Sequence, residues 1–283
     1  MGKMEKLKLN NGIEMPQLGF GVFQITDYDL CKQSVKNAFK IGYRLIDTAA
    51  CYGNEKAVGD AIRESQLTRE ELFISSKVWI QKDGYEGTKQ TFMKSLDNLQ
   101  TDYIDLYLIH MPYGDYHGSW RALEELYKEG KIKAIGVCNF LADRLVDLIL
   151  THDIVPAINQ MELHPFYQQK ELKQVMLKYD IQMMAWAPFA EGNRGIFTDE
   201  QLQRIGSLYQ KTPAQVILRW LRQNHIIAIP KSIHEDRMIQ NYSIDDFELS
   251  QEDMLIIEKM DENKPLILEI TALNEVYRLH GIQ

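Results

Sequence analysis

The feature that most constrains this chain is an alternation. Short runs rich in β-branched residues are followed by amphipathic stretches of ten to fifteen residues, and the pair recurs about eight times. The strand-like runs fall at residues 18–22, 43–47, 72–77, 104–110, 134–138, 157–162, 182–187 and 226–230. Between them lie helical patterns. Residues 54–65 place Ala57, Val58, Ala61 and Ile62 on one face, and 121–129 do the same with Leu123, Leu126 and Tyr127 before stopping at Gly130. Residues 146–150 and 172–176 continue the theme, and Pro213 suits the first position of a helix reaching Arg222. Ahead of them all, 6–9 and 13–15 flank Asn11-Gly12, a strong signal for a two-residue hairpin turn.

Eight strand–helix units in fewer than 300 residues predict an α/β fold, a closed (β/α)8 TIM barrel preceded by an N-terminal β-hairpin. An open doubly wound sheet is the rival. It would usually carry a glycine-rich dinucleotide turn, and Gly19-x-Gly21 lacks the third glycine. With no low-complexity segment, charge block or Pro/Gly-rich linker, one domain is expected over residues 1–283.

Composition narrows the function classes. A chain of 33.0 kDa with 45% hydrophobic residues can build its core without disulfides or a structural metal. Forty acidic against 32 basic residues give a net charge of −8 and argue against nucleic acid or an anionic membrane as the principal partner. No apolar run approaches the ~18 residues of a membrane span. The N-terminus lacks an apolar signal core, and Gly2 lacks the downstream Ser or Thr of a myristoylation signal. Cys31, Cys51 and Cys138 are odd in number and show no C-x-x-C spacing, so a reducing cytoplasm is the expected setting. The oligomeric state is not legible; a monomer is the default.

In a barrel, chemistry gathers where strands end, on the C-terminal face. That position holds Asp47, with Tyr52 in the following loop, then Lys77 and Trp79, then His110. Asn139, Gln160 and Glu162, Trp186, and Lys231 with Ser232 follow on the later strands. Taken singly, a lysine closing a strand is usually a solvated end, and a histidine a satisfied structural group. Polar groups at seven of the eight strand ends in register mark a site. A buried Asp47 beside a buried Lys77 makes sense as a pair, whereas neither is comfortable alone. One alternative uses the same residues as a metal-dependent barrel hydrolase built on His110, His164 and Asp47, although no His-x-His pair closes a strand.

The run from Gly42 through Tyr43, Arg44, Leu45, Ile46, Asp47 and Thr48 to Ala49, continuing to Tyr52-Gly53-Asn54-Glu55, resembles the signature of the aldo-keto reductase superfamily. So do Ser76-Lys77-Val78-Trp79, the run from Asp105 to His110 with Pro112, and Gly136-Val137-Cys138-Asn139-Phe140. Ile229-Pro230-Lys231-Ser232 with Arg237 and Asn241 completes the set, in the family's order and spacing from Leu7 to about Met260. Within the superfamily the chain is most similar to bacterial reductases of the 2,5-diketogluconate and methylglyoxal type.

The resemblance implies hydride transfer between NADPH and a carbonyl, with an Asp47–Tyr52–Lys77–His110 tetrad and no metal. Tyr52 would protonate the forming alkoxide, Asp47 would hold Lys77, and His110 would orient the substrate oxygen. Lowering a phenol pKa by two to three units takes about 3–4 kcal/mol. A cation at about 4 Å supplies around 4 kcal/mol at an effective dielectric of 20, so Lys77 is expected to suffice. Asn139 and Gln160 would hold the nicotinamide carboxamide and Trp186 would stack on the ring. Cys138 stands where the family normally has a small hydroxyl residue; it is read as a small buried residue with no role.

Lys231, Ser232 and Arg237 match the family's 2′-phosphate site, with Gln240 and Asn241 near the adenine. Two cations and a hydroxyl near a helix start suit a dianion. His234 replaces a common arginine and Gln240 a common glutamate, which bears on how strictly NADPH is preferred. Phe23, Trp79, Met111 and Trp186 would line an apolar cup for a small carbonyl substrate, with Met111 in place of a frequent tryptophan. Phe20 and Phe189 read as ordinary core. The tail, residues 261–283, is expected to pack near the mouth, with 274–279 helical. A non-catalytic NADP sensor on the same barrel is the remaining alternative, and it would bind cofactor without turnover.

Overall fold

The computed structural model describes residues 5–281, so Gly2 and the last two residues of the tail lie outside the described residues. Strands β1 (Lys6–Lys8) and β2 (Glu14–Pro16) pair antiparallel with Leu7 opposite Met15. Gly12 turns between them at φ +88°, a conformation that side chains with a Cβ rarely adopt.

Eight parallel strands follow: β3 (Gly19–Gly21), β4 (Leu45–Asp47), β5 (Phe73–Val78), β6 (Ile104–Ile109), β7 (Ile132–Cys138), β8 (Ile158–Glu162), β9 (Gln182–Trp186) and β10 (Ile227–Ala228). Each neighbours the next in chain order. The first and last meet through a parallel bridge between Leu18 and Ala228, supported by Ala228 N–H to Gln17 O at 3.0 Å and Gly21 N–H to Pro230 O at 3.1 Å. The barrel expected from the alternation is closed by these bonds. The seam is short, and Pro230 has no N–H to extend it.

The interior is filled in layers. Leu9 and Met15 of the hairpin pack with the buried Leu45, Phe73, Leu106, Leu108, Ile158, Met184 and Ile227, so the hairpin plugs the N-terminal end of the barrel. The outer faces of the strands pack against a surrounding ring of helices: α1 (Tyr28–Ile41), α2 (Glu55–Arg63), α3 (Gly84–Leu99), α4 (Tyr116–Lys128), α5 (Ala142–Thr151), α6 (Lys170–Lys178), α7 (Glu200–Tyr209) and α8 (Pro213–Gln223). Three more helices, α9 (Glu235–Tyr242), α10 (Gln251–Glu258) and α11 (Leu273–His280), follow the last strand.

Local chemistry sets the boundaries. The Asp27 carboxylate caps α1 by accepting from Leu30 N–H, and Gly42 ends the helix at φ 126°. At α8, Thr212 and Gln215 form a reciprocal capping box ahead of Pro213 at the first position. Helix α4 begins five residues before the apolar repeat at Arg121, because Asp115 accepts from Gly118 N–H and draws Gly118 and Ser119 into the first turn.

After α10 the chain crosses the C-terminal face of the barrel. Leu279 packs with Ile80 and Met111 in a small apolar cluster, and Trp79, Tyr113, Leu268 and Ile270 lie against it. The Tyr113 hydroxyl donates to the carbonyl of Ile270, and Gln81 Nε2 donates to those of Leu279 at 3.0 Å and His280 at 2.8 Å. Among the described residues no helix is long and apolar enough to cross a membrane.

Helices α2 and α3 touch backbone to backbone at Gly59, where a Cβ would lie 2.2 Å from the carbonyl oxygen of Asn98 and 2.8 Å from Leu99. Because a backbone wall cannot rotate away, Gly59→Ala should destabilise the fold by about 2–3 kcal/mol. Denaturant unfolding, read as a shift in midpoint at constant slope, checks this.

Candidate active site

Side chains along a strand alternate between faces, and β5 uses both. Ser75 and Lys77 point into the barrel, while Ser76 between them turns outward to Glu55, its hydroxyl donating at 2.6 Å. Lys77 is fully buried, with Nζ 2.6 Å from Asp47 Oδ2 and 2.9 Å from the carbonyl oxygen of Thr48. The other Asp47 oxygen accepts from Ser75 Oγ and from Gln160 Nε2, each at 3.0 Å. Both charges are thereby satisfied away from water. Burial pulls the Lys77 ammonium toward deprotonation, but Asp47 above all holds its pKa above the ordinary lysine value.

Tyr52 sits on a short 3-10 turn after β4. Its ring centre is 5.2 Å from Lys77 Nζ, 5.7 Å from the His110 ring and 4.9 Å from the Phe23 ring. The tetrad therefore converges. The expectation that Lys77 lowers the Tyr52 pKa outright is corrected: burial pushes the phenol up, Lys77 pulls it back, Asp47 adds to the rise, and the net shift is upward. The main physical reason is dehydration of the buried phenol, and the 2.6 Å contact adds to it by setting a carboxylate's field against the ammonium's.

His110 follows β6 directly. Its ring stands edge-on to Trp79 with centres 4.8 Å apart, and its Nδ1 lies 3.5 Å from Cys51 Sγ. Burial, aided by the Lys77 charge, holds the imidazole well below its usual pKa, so it is neutral at pH 7. Cys51 beside His110, and Ser75 beside Asp47, are neighbours that sequence reasoning did not assign. Ser75 was findable, since it precedes Lys77 by two residues on the same strand face.

A second group surrounds the tetrad. Asn139, at φ 62°, donates from Nδ2 to the His110 carbonyl at 3.1 Å and to Met111 Sδ at 3.3 Å. Its Oδ1 accepts from Trp186 Nε1 at 2.9 Å, which fixes the indole. Gln160 commits Nε2 to Asp47 and to Met184 Sδ, whereas among the described residues its Oε1 receives only the Cys138 thiol at 3.5 Å. Cys138 itself is buried, and burial pushes its thiol pKa up. On the outer side, Phe23 is half exposed against Tyr52, while Met111 is covered to 2% exposure in the cluster with Leu279. Phe20 is core and Phe189 packs against it.

The third group lies past β10. Lys231, Arg237 and Gln240 are exposed, Ser232 and Asn241 are buried, and α9 starts among them. Ser232 Oγ accepts from His234 N–H at 3.1 Å and donates to the His234 carbonyl at 3.2 Å. Among the described residues neither Lys231 nor Arg237 forms an ion pair. His164 does not join His110 and Asp47; its Nε2 lies 3.0 Å from Glu162, and no three His, Cys, Asp or Glu side chains among the described residues are arranged to hold a metal.

Comparison with known proteins agrees with this arrangement. Residues 17–262 match the aldo/keto reductase family. The chain belongs to that family. It is 50% identical over 261 residues to the glyoxal reductase of Bacillus subtilis (strain 168), covering 92% of this chain and 94% of that protein. It is 41% identical over 263 residues to the methylglyoxal reductase DkgA of Escherichia coli (strain K12), again covering 92% and 94%. A crystal structure of a Bombyx mori aldo-keto reductase in complex with NADP superimposes with a TM-score of 0.89 at 32% identity, covering 95% of this chain and 96% of that one.

The buried pair at the centre gives a stability test. Lys77→Met leaves Asp47 charged and unpaired in the barrel and should cost roughly 3–5 kcal/mol, whereas Lys77→Met with Asp47→Asn should cost less than the sum of the two single changes. Urea unfolding of the three variants measures the coupling.

Proposed function

We propose that this family member is a cytoplasmic, NADPH-dependent reductase that converts small aldehydes and dicarbonyls to alcohols, with Tyr52 as the general acid. The observation that carries the reading is the buried Lys77–Asp47 pair set beside the Tyr52 ring and a neutral His110. Relatives named as glyoxal and methylglyoxal reductases support the substrate class, and the neighbour's NADP complex supports the cofactor.

The residues present fit that cofactor. Gln160 Oε1, with only a thiol donor, is an acceptor suited to a carboxamide N–H, and Asn139 fixes Trp186 as a ring platform beside it. Lys231 and Arg237, exposed and free of ion pairs among the described residues, flank the start of α9 with Ser232, as a 2′-phosphate requires. Gln240 and Asn241 lie on the same helix for the adenine end. When bound, NADPH supplies the hydride.

The protein's own groups handle the proton. The neutral His110 imidazole donates a ring N–H to the carbonyl oxygen and orients it toward Tyr52. The Tyr52 hydroxyl gives its proton to that oxygen as the carbonyl carbon is reduced. The phenolate left behind faces the Lys77 ammonium, whose attraction favours phenolate. Because the Tyr52 pKa is raised, the acid stays protonated throughout the neutral range. Phe23, Trp79 and Met111 supply apolar walls, and Trp79 and Phe23 pack directly on His110 and Tyr52.

Two outcomes follow. Carbonyl reduction should be flat from about pH 6 to 9, while alcohol oxidation, which needs the phenolate, should rise with pH. Tyr52→Phe should remove most turnover in both directions and leave NADPH affinity within about twofold. Absorbance at 340 nm across pH, with fluorescence titration of NADPH, tests both parts. A reduction rate that falls with an apparent pKa near 7, or turnover retained without the hydroxyl, would overturn Tyr52 as the acid. Binding without turnover in the unaltered protein would instead favour the sensor reading. Separately, Lys231→Ala should narrow the NADPH-over-NADH preference about tenfold or more, and an unchanged ratio would misplace the phosphate site.

A further inference from the structure

Glu162 closes β8 two residues after Gln160, and among the polar strand ends it looks like another pocket residue. The structure turns it to a different task. Its carboxylate is buried to 2% exposure and gathers successive backbone donors from the tail. Oε1 accepts from Leu266 N–H at 2.7 Å and Ile267 N–H at 3.2 Å, and Oε2 accepts from Leu268 N–H at 3.0 Å and Ile267 N–H at 3.4 Å. His164 Nε2 lies 3.0 Å from Oε1. The opposite nitrogen of that ring, Nδ1, is buried with no hydrogen-bond partner among the described residues. A proton there would be an orphaned donor, so the shared proton belongs on Nε2 and the ring donates to Glu162. Consecutive N–H groups converging on one carboxylate make a nest, and charge-assisted bonds of this kind are the strong ones.

We infer that Glu162 is a positioning residue for substrate selection: its carboxylate, oriented by His164, clamps residues 266–268 and so fixes the tail wall of the active-site mouth. The geometry makes the coupling direct. Leu268 is held by its own N–H, and Ile270 follows two residues later. Both lie against the cluster of Ile80, Met111 and Leu279, which also carries Trp79, and Trp79 is edge-on to His110. The clamp is reciprocal. Without the tail N–H groups a buried carboxylate would lose most of its donors, and without the carboxylate three half-buried N–H groups would turn to water. A residue that touches neither substrate nor cofactor thus decides how much room lies above His110.

The inference rests on the reading of the mouth proposed above, and its test separates the two. Full-length Glu162→Gln places an amide N–H2 against backbone donors, and Ile267→Pro deletes a donor from the tail side without touching the barrel. In both variants trypsin should cut after Arg278, in the loosened tail, on the order of tenfold faster than in the unaltered protein. The kcat/KM ratio for phenylglyoxal against methylglyoxal should shift by about threefold or more, through the KM for phenylglyoxal, with the kcat for methylglyoxal and the NADPH Kd held within about twofold. Folded variants whose cleavage rate and ratio both match the unaltered protein would overturn the clamp. Should Glu162→Gln fail to fold, Ile267→Pro decides alone. If the unaltered protein reduces neither dicarbonyl, the proposed function falls, and the cleavage rates still decide the clamp.

Discussion

The contact between Lys77 and Asp47 is the constraint on which the rest of the site depends. An ammonium with no exposed surface, set in a barrel of leucines and isoleucines, survives only beside a carboxylate, and that carboxylate needs further donors. Ser75 and Gln160 provide them, so one ion pair ties β4, β5 and β8 together across the barrel interior. The consequence for chemistry is twofold. Gln160 is held by its nitrogen with its oxygen left almost free, and Tyr52 is left with a cation beside it that is already engaged.

That division explains why the barrel is polar at one end only. The hairpin inserts Leu9 and Met15 into the N-terminal end, and from there the filling is apolar up to the level of Leu108 and Met184. Above it lie the groups that need each other. The polar groups are thereby gathered at the mouth end, where the buried Lys77 and Asp47 act on Tyr52.

The strands were legible because each carries an apolar run bounded by polar or turn residues, and the polar residues at their ends were legible as a site because seven of the eight strands carry one in register. The helices were less even. Helix α3, the sequence Gly84-Tyr85-Glu86-Gly87 leading to Leu99, has two glycines in its first turn, and the polar Thr88 and Ser95 complete the buried face of Phe92, Leu96 and Leu99. Helix α1 went unnamed for a related reason, since Ser34 and Cys31 complete a buried face that polarity alone does not reveal. Sequence position also could not say which way a strand-end residue turns. Gln160 and Glu162 share a strand and a face, yet one meets Asp47 and the other meets the tail.

Residue types alone misplace the proton affinity of Tyr52, for a reason that generalises. A Coulomb estimate from residue types counts the nearest cation and omits both the dehydration of the phenol and the carboxylate that the cation already serves. With a 2.6 Å ion pair, the field at the phenol is closer to that of a dipole than of a charge, and it falls off faster with distance. If Tyr52 is the acid, as proposed, it holds its proton firmly until a stronger base forms beside it. An alkoxide emerging from a reduced carbonyl is such a base, whereas water at neutral pH is not. The distance between Lys77 and Asp47 thus helps set how firmly Tyr52 holds its proton, together with the burial of the phenol itself.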